Sequence, residues 1–140
     1  LLAFLYFNWS PSKIFMGDAG STFLGGLLSS LITKTNSFEE SAIIFISFSP
    51  LWLDAFTCLI RRFIDKQRIF QSHKLHLYQR LHQNGWSHSK VSLIYILCSL
   101  ILMLACLSSN WILISSGFIS LFIFGFYLDK NHSKSFSNIS

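Results

Sequence analysis

Three places in this chain hold residues whose types and spacing could do chemistry. The first is Lys13-Ile14-Phe15-Met16-Gly17-Asp18-Ala19-Gly20-Ser21, one acid between two glycines directly ahead of an apolar run. An acid beside a hydrophobic segment costs free energy unless a cation, a metal ion or backbone N–H groups meet it. Gly17 and Gly20 let the backbone turn sharply and let a ligand come close. Asp18 is therefore placed either to meet a charged ligand at a membrane surface or to cap the following helix by accepting from its free N–H groups. The second place holds His73, His76 and Arg80, spaced i, i+3, i+7. On a helix they would share one face. Two imidazoles and a guanidinium make an anion cradle, because the planar fork of Arg suits phosphate and His donates one or two hydrogen bonds according to its charge. Phe70 and Tyr78 flank the patch and could stack on a base. The His-x-x-His spacing lacks the i, i+4 pair and the Glu of a zincin, so zinc is not expected. The rival reading is a basic patch that meets anionic lipid headgroups.

The third place is Asp54, inside an apolar run. A charge near the centre of a bilayer costs about 2.5–3.5 kcal/mol on insertion scales. Such an acid faces a bundle interior or a wet cavity, or it lies near enough to the interface to pair with Arg61 or Arg62.

The elements that must position these groups read as membrane helices. Of the 140 residues 51% are hydrophobic, 15 are Phe and only 12% are charged, too few charges for an ordinary soluble domain of this size. The expected fold class is an all-α, polytopic transmembrane bundle with a cytoplasmic histidine-containing loop. Spans are expected over about 1–7, 19–35, 41–60, 91–107 and 111–128, with the loop at 61–90 and a polar, disordered tail at 129–140. The second span is short, so tilt or surface re-entry would suit it. Ser37 with Glu40 fits a capping box. Pro50 should kink the third span. Ser108-Ser109-Asn110 reads as a tight turn. The three cysteines, all in apolar runs, show no CxxC spacing and suggest neither zinc nor a disulfide framework.

The net charge of +5 does not point to nucleic acid, because seven of the eleven Lys and Arg fall between Arg61 and Lys90, among hydrophobic spans. That clustering marks a cytoplasmic loop. It would put the Lys13–Asp18 loop on the same side, two spans earlier, so that Asp18 and the histidines could serve one site. The chain opens at Leu1 inside an apolar run, as a fragment would.

Ile14-Phe15-Met16-Gly17-Asp18-Ala19-Gly20-Ser21, followed by Leu24-Gly25, resembles a signature of the polyprenyl-phosphate N-acetylhexosamine-1-phosphate transferases (MraY/WecA-like, glycosyltransferase family 4). Pro50-Leu51-Trp52-Leu53-Asp54 with Arg61-Arg62 resembles the segment before that family's large cytoplasmic loop. Phe70 to Leu81 and Gly85-Trp86-Ser87-His88 resemble its histidine motif, closest to the O-antigen-initiating branch.

The resemblance implies that Asp18 binds magnesium, with manganese as a possible substitute. It implies that His73 and His76 contact a nucleotide pyrophosphate and that Lys74 and Arg80 bind substrate. Asp54 is placed at or near the cleft. Lys74 stands where Arg is often found, which keeps the charge but loses the bidentate fork. His82 and His88 read as loop-surface residues. The implied partners are UDP-N-acetylhexosamine, polyprenyl phosphate and membrane lipid, without nucleic acid and with a possible homodimer. The implied setting is the bacterial inner membrane, with the active face cytoplasmic.

The resemblance covers only the C-terminal part of such an enzyme. An acidic pair and an Asn-rich stretch ending in Asp-Gly, both expected of the family, are not found within these residues. The chain alone is therefore expected to be inactive. The competing class is a non-catalytic membrane protein, either a truncated transferase or an anionic-lipid-binding scaffold.

Overall fold

The computed structural model describes residues 2–9, 13, 14, 16–68, 71 and 74–136. Among these the chain is all-helical, with seven helices: α1 (Leu2–Asn8), α2 (Gly17–Thr33), α3 (Phe38–Ser47), α4 (Ser49–Ile64), α5 (Leu77–Gln83), α6 (His88–Leu107) and α7 (Trp111–His132). The chain divides into two units, Leu1–Phe45 and Ile46–Ser140.

In the first unit, α2 starts abruptly. Gly17 has φ +65°, a left-handed value that a side chain disfavours. A Cβ on Gly20 would run into the Met16 side chain, which lies over this position and would have to shift. The hydroxyls of Ser21, Ser30 and Thr33 donate to carbonyls three residues back, at 3.0, 2.8 and 3.1 Å, which satisfies them inside an apolar helix. With 17 residues, α2 rises about 26 Å, slightly less than the roughly 30 Å of a hydrocarbon core. Half of the expected capping box at α3 forms as such, and the return bond goes to Asn36, one residue before the cap. Ser37 Oγ accepts from the Glu40 N–H at 3.2 Å, while the Glu40 carboxylate reaches back to the Asn36 N–H at 3.1 Å.

The expected span over 41–60 is not one continuous helix. It breaks at Phe48 (φ −92°, ψ 7°), and α4 restarts with Pro50 in its first turn. A proline there gives up only an N–H that has no partner within the helix anyway. By length and composition α3 and α4, bent by 70° at the break, suit one broken span or a re-entrant loop, whereas α6 and α7 are each long and apolar enough to cross a membrane alone. Ser87 caps α6 by accepting from the Lys90 N–H at 3.3 Å. The turn at 108–110 is as tight as its residues suggest, with Ser109 at φ +51°. Asn110 Oδ1 then caps α7, accepting from the N–H groups of Ile112 and Leu113 at 3.0 and 3.4 Å. Outward-facing Leu93, Ile101, Ile112 and Ile123 give this hairpin an apolar surface that suits lipid.

The core that matters for the site lies where α5 docks on the α6–α7 hairpin. Leu81, Val91 and Leu128 are buried there, and Leu77, Trp86, Ile94 and Tyr95 pack around them. Leu81 is completely covered, and burying such a side chain contributes about 1.5–3 kcal/mol. A seven-residue helix is too short to persist by itself, so this contact holds α5 in place.

Candidate functional site

Residues 65–76 connect α4 to α5, and side chains of α4 grip this connection at both ends. At its start, the Arg62 guanidinium is buried and donates to the carbonyls of Arg68 and Gln71. At its end, Asp54 receives the first amide of α5: Leu77 N–H donates to Asp54 Oδ1 at 2.8 Å. The other carboxylate oxygen, Oδ2, accepts from Tyr95 Oη of α6 at 2.9 Å. Asp54 is 8% exposed, so both oxygens exchange water for protein donors. A carboxylate buried this deeply requires that replacement, and an N-terminal helix amide supplies it with favourable partial charge. The alternative pairing of Asp54 with Arg61 or Arg62 is not what forms; the acid faces inward. Leu77, Tyr95 and the nearby His76 take that place.

His76 is the N-cap of α5, with extended backbone angles (φ −59°, ψ 149°), and Lys74 and Leu75 before it are not helical. The helical face proposed for His73, His76 and Arg80 therefore does not run back through His76. A reciprocal capping box fixes the imidazole instead: its ring accepts from the Gln79 N–H, and Gln79 Oε1 accepts from the His76 N–H at 3.2 Å. His76 Nδ1 lies 3.9 Å from Asp54 Oδ1. Its ring stacks on Tyr78 at 5.5 Å, and Tyr78 meets Tyr95 edge-on at 6.4 Å. Burial, and secondarily the Asp54 carboxylate, push the Tyr78 phenol above its ordinary pKa of 10.0.

The guanidinium of Arg80 is committed elsewhere. Arg80 is 3% exposed. It donates to the Asp129 carboxylate at the end of α7 and to the Lys134 carbonyl at 3.0 Å. The second Asp129 oxygen takes Arg61. The Phe136 ring lies over both guanidinium carbons, 5.6 Å from that of Arg61 and 5.3 Å from that of Arg80. Residues 129–136 are thus not a free polar tail. Through residue 136 they fold back on two cations that need a carboxylate. Between α4, α6 and α7 is a cavity of about 100 Å³, with Asp54, Tyr95, Arg61 and Arg80 on its polar side and Leu53, Ile94 and Phe122 among its apolar walls.

Asp18 belongs to the first unit. It is exposed in the first turn of α2, and its carboxylate takes no hydrogen bond among the described residues. The N-cap of α2 is Met16, so Asp18 is not spent on capping. An open carboxylate fits one magnesium ligand, since magnesium is usually held by one or two carboxylates plus substrate phosphates. Among the described residues no three His, Cys, Asp or Glu gather to form a complete metal cage. Lys74 is exposed, and its carbonyl accepts from Gln83 Nε2 at 3.1 Å. His73 and Phe70 lie outside the described residues. His82 and His88 are exposed, as expected, and their rings stack on each other at 3.6 Å.

Sequence reasoning missed Tyr95 and Asp129. Tyr95 is the one aromatic between Val91 and Leu107, a phenol that an apolar helix needs to satisfy, and that could have marked it. Asp129 carried no such signal, because its partners are 68 and 49 residues away in sequence.

Comparison with known proteins gives the class. Residues 1–36 match glycosyl transferase family 4. The chain is 37% identical over 103 residues to a protein of Bacillus subtilis (strain 168) named probable undecaprenyl-phosphate N-acetylglucosaminyl 1-phosphate transferase, covering 69% of this chain and 28% of that one. It is 38% identical over 104 residues to the phospho-N-acetylmuramoyl-pentapeptide-transferase of Thermotoga maritima, covering 72% and 33%. It is 34% identical over 114 residues to the protein of that name in Rickettsia bellii (strain OSU 85-389), covering 77% and 30%. The chain spans about a third of the length of these curated relatives. No solved structure matches it. The chain belongs to the MraY/WecA-like glycosyl transferase family 4.

Proposed function

We propose that this chain carries part of an enzyme that transfers an N-acetylhexosamine 1-phosphate from a UDP-sugar to polyprenyl (undecaprenyl) phosphate and releases UMP. The carrying observation is the family match over residues 1–36, which hold Asp18, together with the likeness over 69% of the chain to a relative named as an undecaprenyl-phosphate N-acetylglucosaminyl 1-phosphate transferase. In that reaction a phosphate oxygen of the lipid bonds to the β-phosphorus of the UDP-sugar. The bond from that phosphorus to the bridging oxygen breaks, and the oxygen leaves with UMP. Two anions must meet, so the protein must cancel charge and hold the groups in line.

Asp18 would hold magnesium, which when bound supplies positive charge to phosphate oxygens. His76, held by its capping box and by the start of α5, offers a ring N–H to the diphosphate, and His73 and Lys74 act with it. Arg80 supports α5 through Asp129. Its two terminal nitrogens are already engaged, so it enters as a placing group. The setting is the inner membrane with the His76 loop in the cytoplasm, in cell-envelope polysaccharide synthesis of the O-antigen kind, and the enzyme could act as a homodimer.

The test is a chimera in which residues 1–128 replace the matching segment of the Bacillus relative. UMP release is measured with magnesium, UDP-N-acetylglucosamine and undecaprenyl phosphate. The chimera is expected to be active and Asp18→Asn to lose at least about a hundredfold, as for loss of a group that stabilises transition-state charge. An Asp18→Asn chimera as active as its parent refutes the reading. The 140-residue chain by itself is expected to release no UMP.

A further inference from the structure

Asp54 is the most deeply buried carboxylate among the described residues, and the reaction just outlined leaves it without work. It sits in the apolar face of α4, yet its two oxygens point at two other helices. One receives the leading N–H of α5 and the other the phenol of α6. The residue immediately before that amide is His76. A 22-residue stretch separates Asp54 from Leu77, and its closure is entropically unfavourable unless the ends are pinned. The Asp54–Leu77 bond ties the two ends together, and Arg62 holds the stretch partway along, at Arg68 and Gln71.

We propose that Asp54, with Tyr95 behind it, is a positioning residue. It fixes where α5 begins, and so where the His76 imidazole stands, and it binds neither metal nor substrate. The inference rests on the reading of His76 as a diphosphate contact, but its primary readout does not.

Both oxygens of Asp54 already have donors, at 2.8 and 2.9 Å, so a metal ion would have to displace at least one of them. The Tyr95 hydroxyl has its own geometric consequence. It ties Asp54 to α6, the helix against which Leu81 of α5 is packed near Val91. The α5 backbone and its hydrophobic contact are thereby referred to the same rigid hairpin.

The experiment uses the full 140-residue chain in lipid nanodiscs, labelled for NMR, with Asp54→Asn, Asp54→Leu and Tyr95→Phe. Three readings are taken: amide exchange at Leu77 against Leu102 deep in α6, the His76 imidazole signal with and without inorganic pyrophosphate, and Mn²⁺ binding by electron paramagnetic resonance. In Asp54→Leu, exchange at Leu77 should rise about tenfold or more, as expected when a buried amide loses a charged acceptor. Leu102 should be unchanged, and the His76 signal should shift and broaden.

Asp54→Asn keeps one acceptor oxygen and should restore the Leu77 protection and the His76 signal to near wild type. Tyr95→Phe should fall between. Mn²⁺ affinity should be unchanged in all three variants. If Asp54→Leu does not fold, Tyr95→Phe decides for Leu77 and His76, and Asp54→Asn decides for Mn²⁺. The inference is overturned if Asp54→Asn lowers Mn²⁺ affinity about tenfold or more, since Asp54 would then serve a metal site rather than only the start of α5. It is equally overturned if Leu77 and His76 are unmoved in Asp54→Leu or, where that variant does not fold, in Tyr95→Phe. If pyrophosphate leaves the wild-type His76 signal unchanged, the diphosphate reading of His76 fails, while Leu77 exchange still judges Asp54.

Discussion

Removing the Asp129 carboxylate should release α5, and the structure indicates by how much. Asp129 joins Arg61 and Arg80, whose side chains are 32% and 4% exposed, and is itself 14% exposed. The two bonds are therefore unequal. The Arg61 pair is partly solvated and contributes about 0.2–1 kcal/mol, as exposed pairs do. The Arg80 pair is nearly dry, and breaking such a pair from one side costs about 3–5 kcal/mol because the remaining charge stays buried without its counterion. Arg80 keeps its bond to the Lys134 carbonyl, so the lower figure is the better expectation. Asp129→Ala should thus lower the local stability of α5 by about 3 kcal/mol, or about 150-fold in an opening equilibrium. Native-state hydrogen exchange at Arg80, Leu81 and Asn84 measures it, with Leu102 as the internal reference. Arg61→Ala should change the same amides by no more than about fivefold. The double change Asp129→Leu with Arg80→Met should recover most of the loss, because an apolar pair of similar size need not be desolvated. Exchange in Asp129→Ala within about fivefold of wild type would refute the reasoning, and so would a double variant as unstable as the single one.

Two further outcomes follow from named contacts. Asn110→Ala removes the acceptor for two N–H groups at the start of α7 and should lower thermal stability by about 1 kcal/mol, whereas Asn110→Ser should retain most of it. The Tyr78 phenol, raised by burial and then by Asp54, should ionise above pH 10 in the ultraviolet difference spectrum against Tyr78→Phe. Its folded pKa is raised above the unfolded value, so the stability tied to its neutral form is fully present below pH 10. That stability is lost as pH rises through the folded value. Asp54→Asn should bring the phenol down part of the way, since the larger cause, burial, remains.

The sequence by itself determined the class of structure and the family. Long apolar runs can satisfy their backbone in lipid only as helices, so α6, α7 and the turn between them were legible from composition and from Ser108-Ser109-Asn110. The Asp18 signature and the His76 segment were legible because each is contiguous. Local chemistry also fixed Gly17 and the Ser37–Glu40 cap. The sequence suggested a kinked third span, but a proline lowers the cost of a break without setting its place, and the break came at Phe48.

Only the tertiary structure decided what the isolated charges do. Asp54 could equally have met an arginine, a metal or a substrate. It met Leu77 and Tyr95 because α4 and α6 pack side by side and the connection returns between them. Arg80 had the spacing of an anion cradle, but its position behind Leu81 turned it inward, where Asp129 was the carboxylate within reach. A buried charge takes whichever opposite group the packed helices bring near, and that proximity depends on residues tens of positions apart.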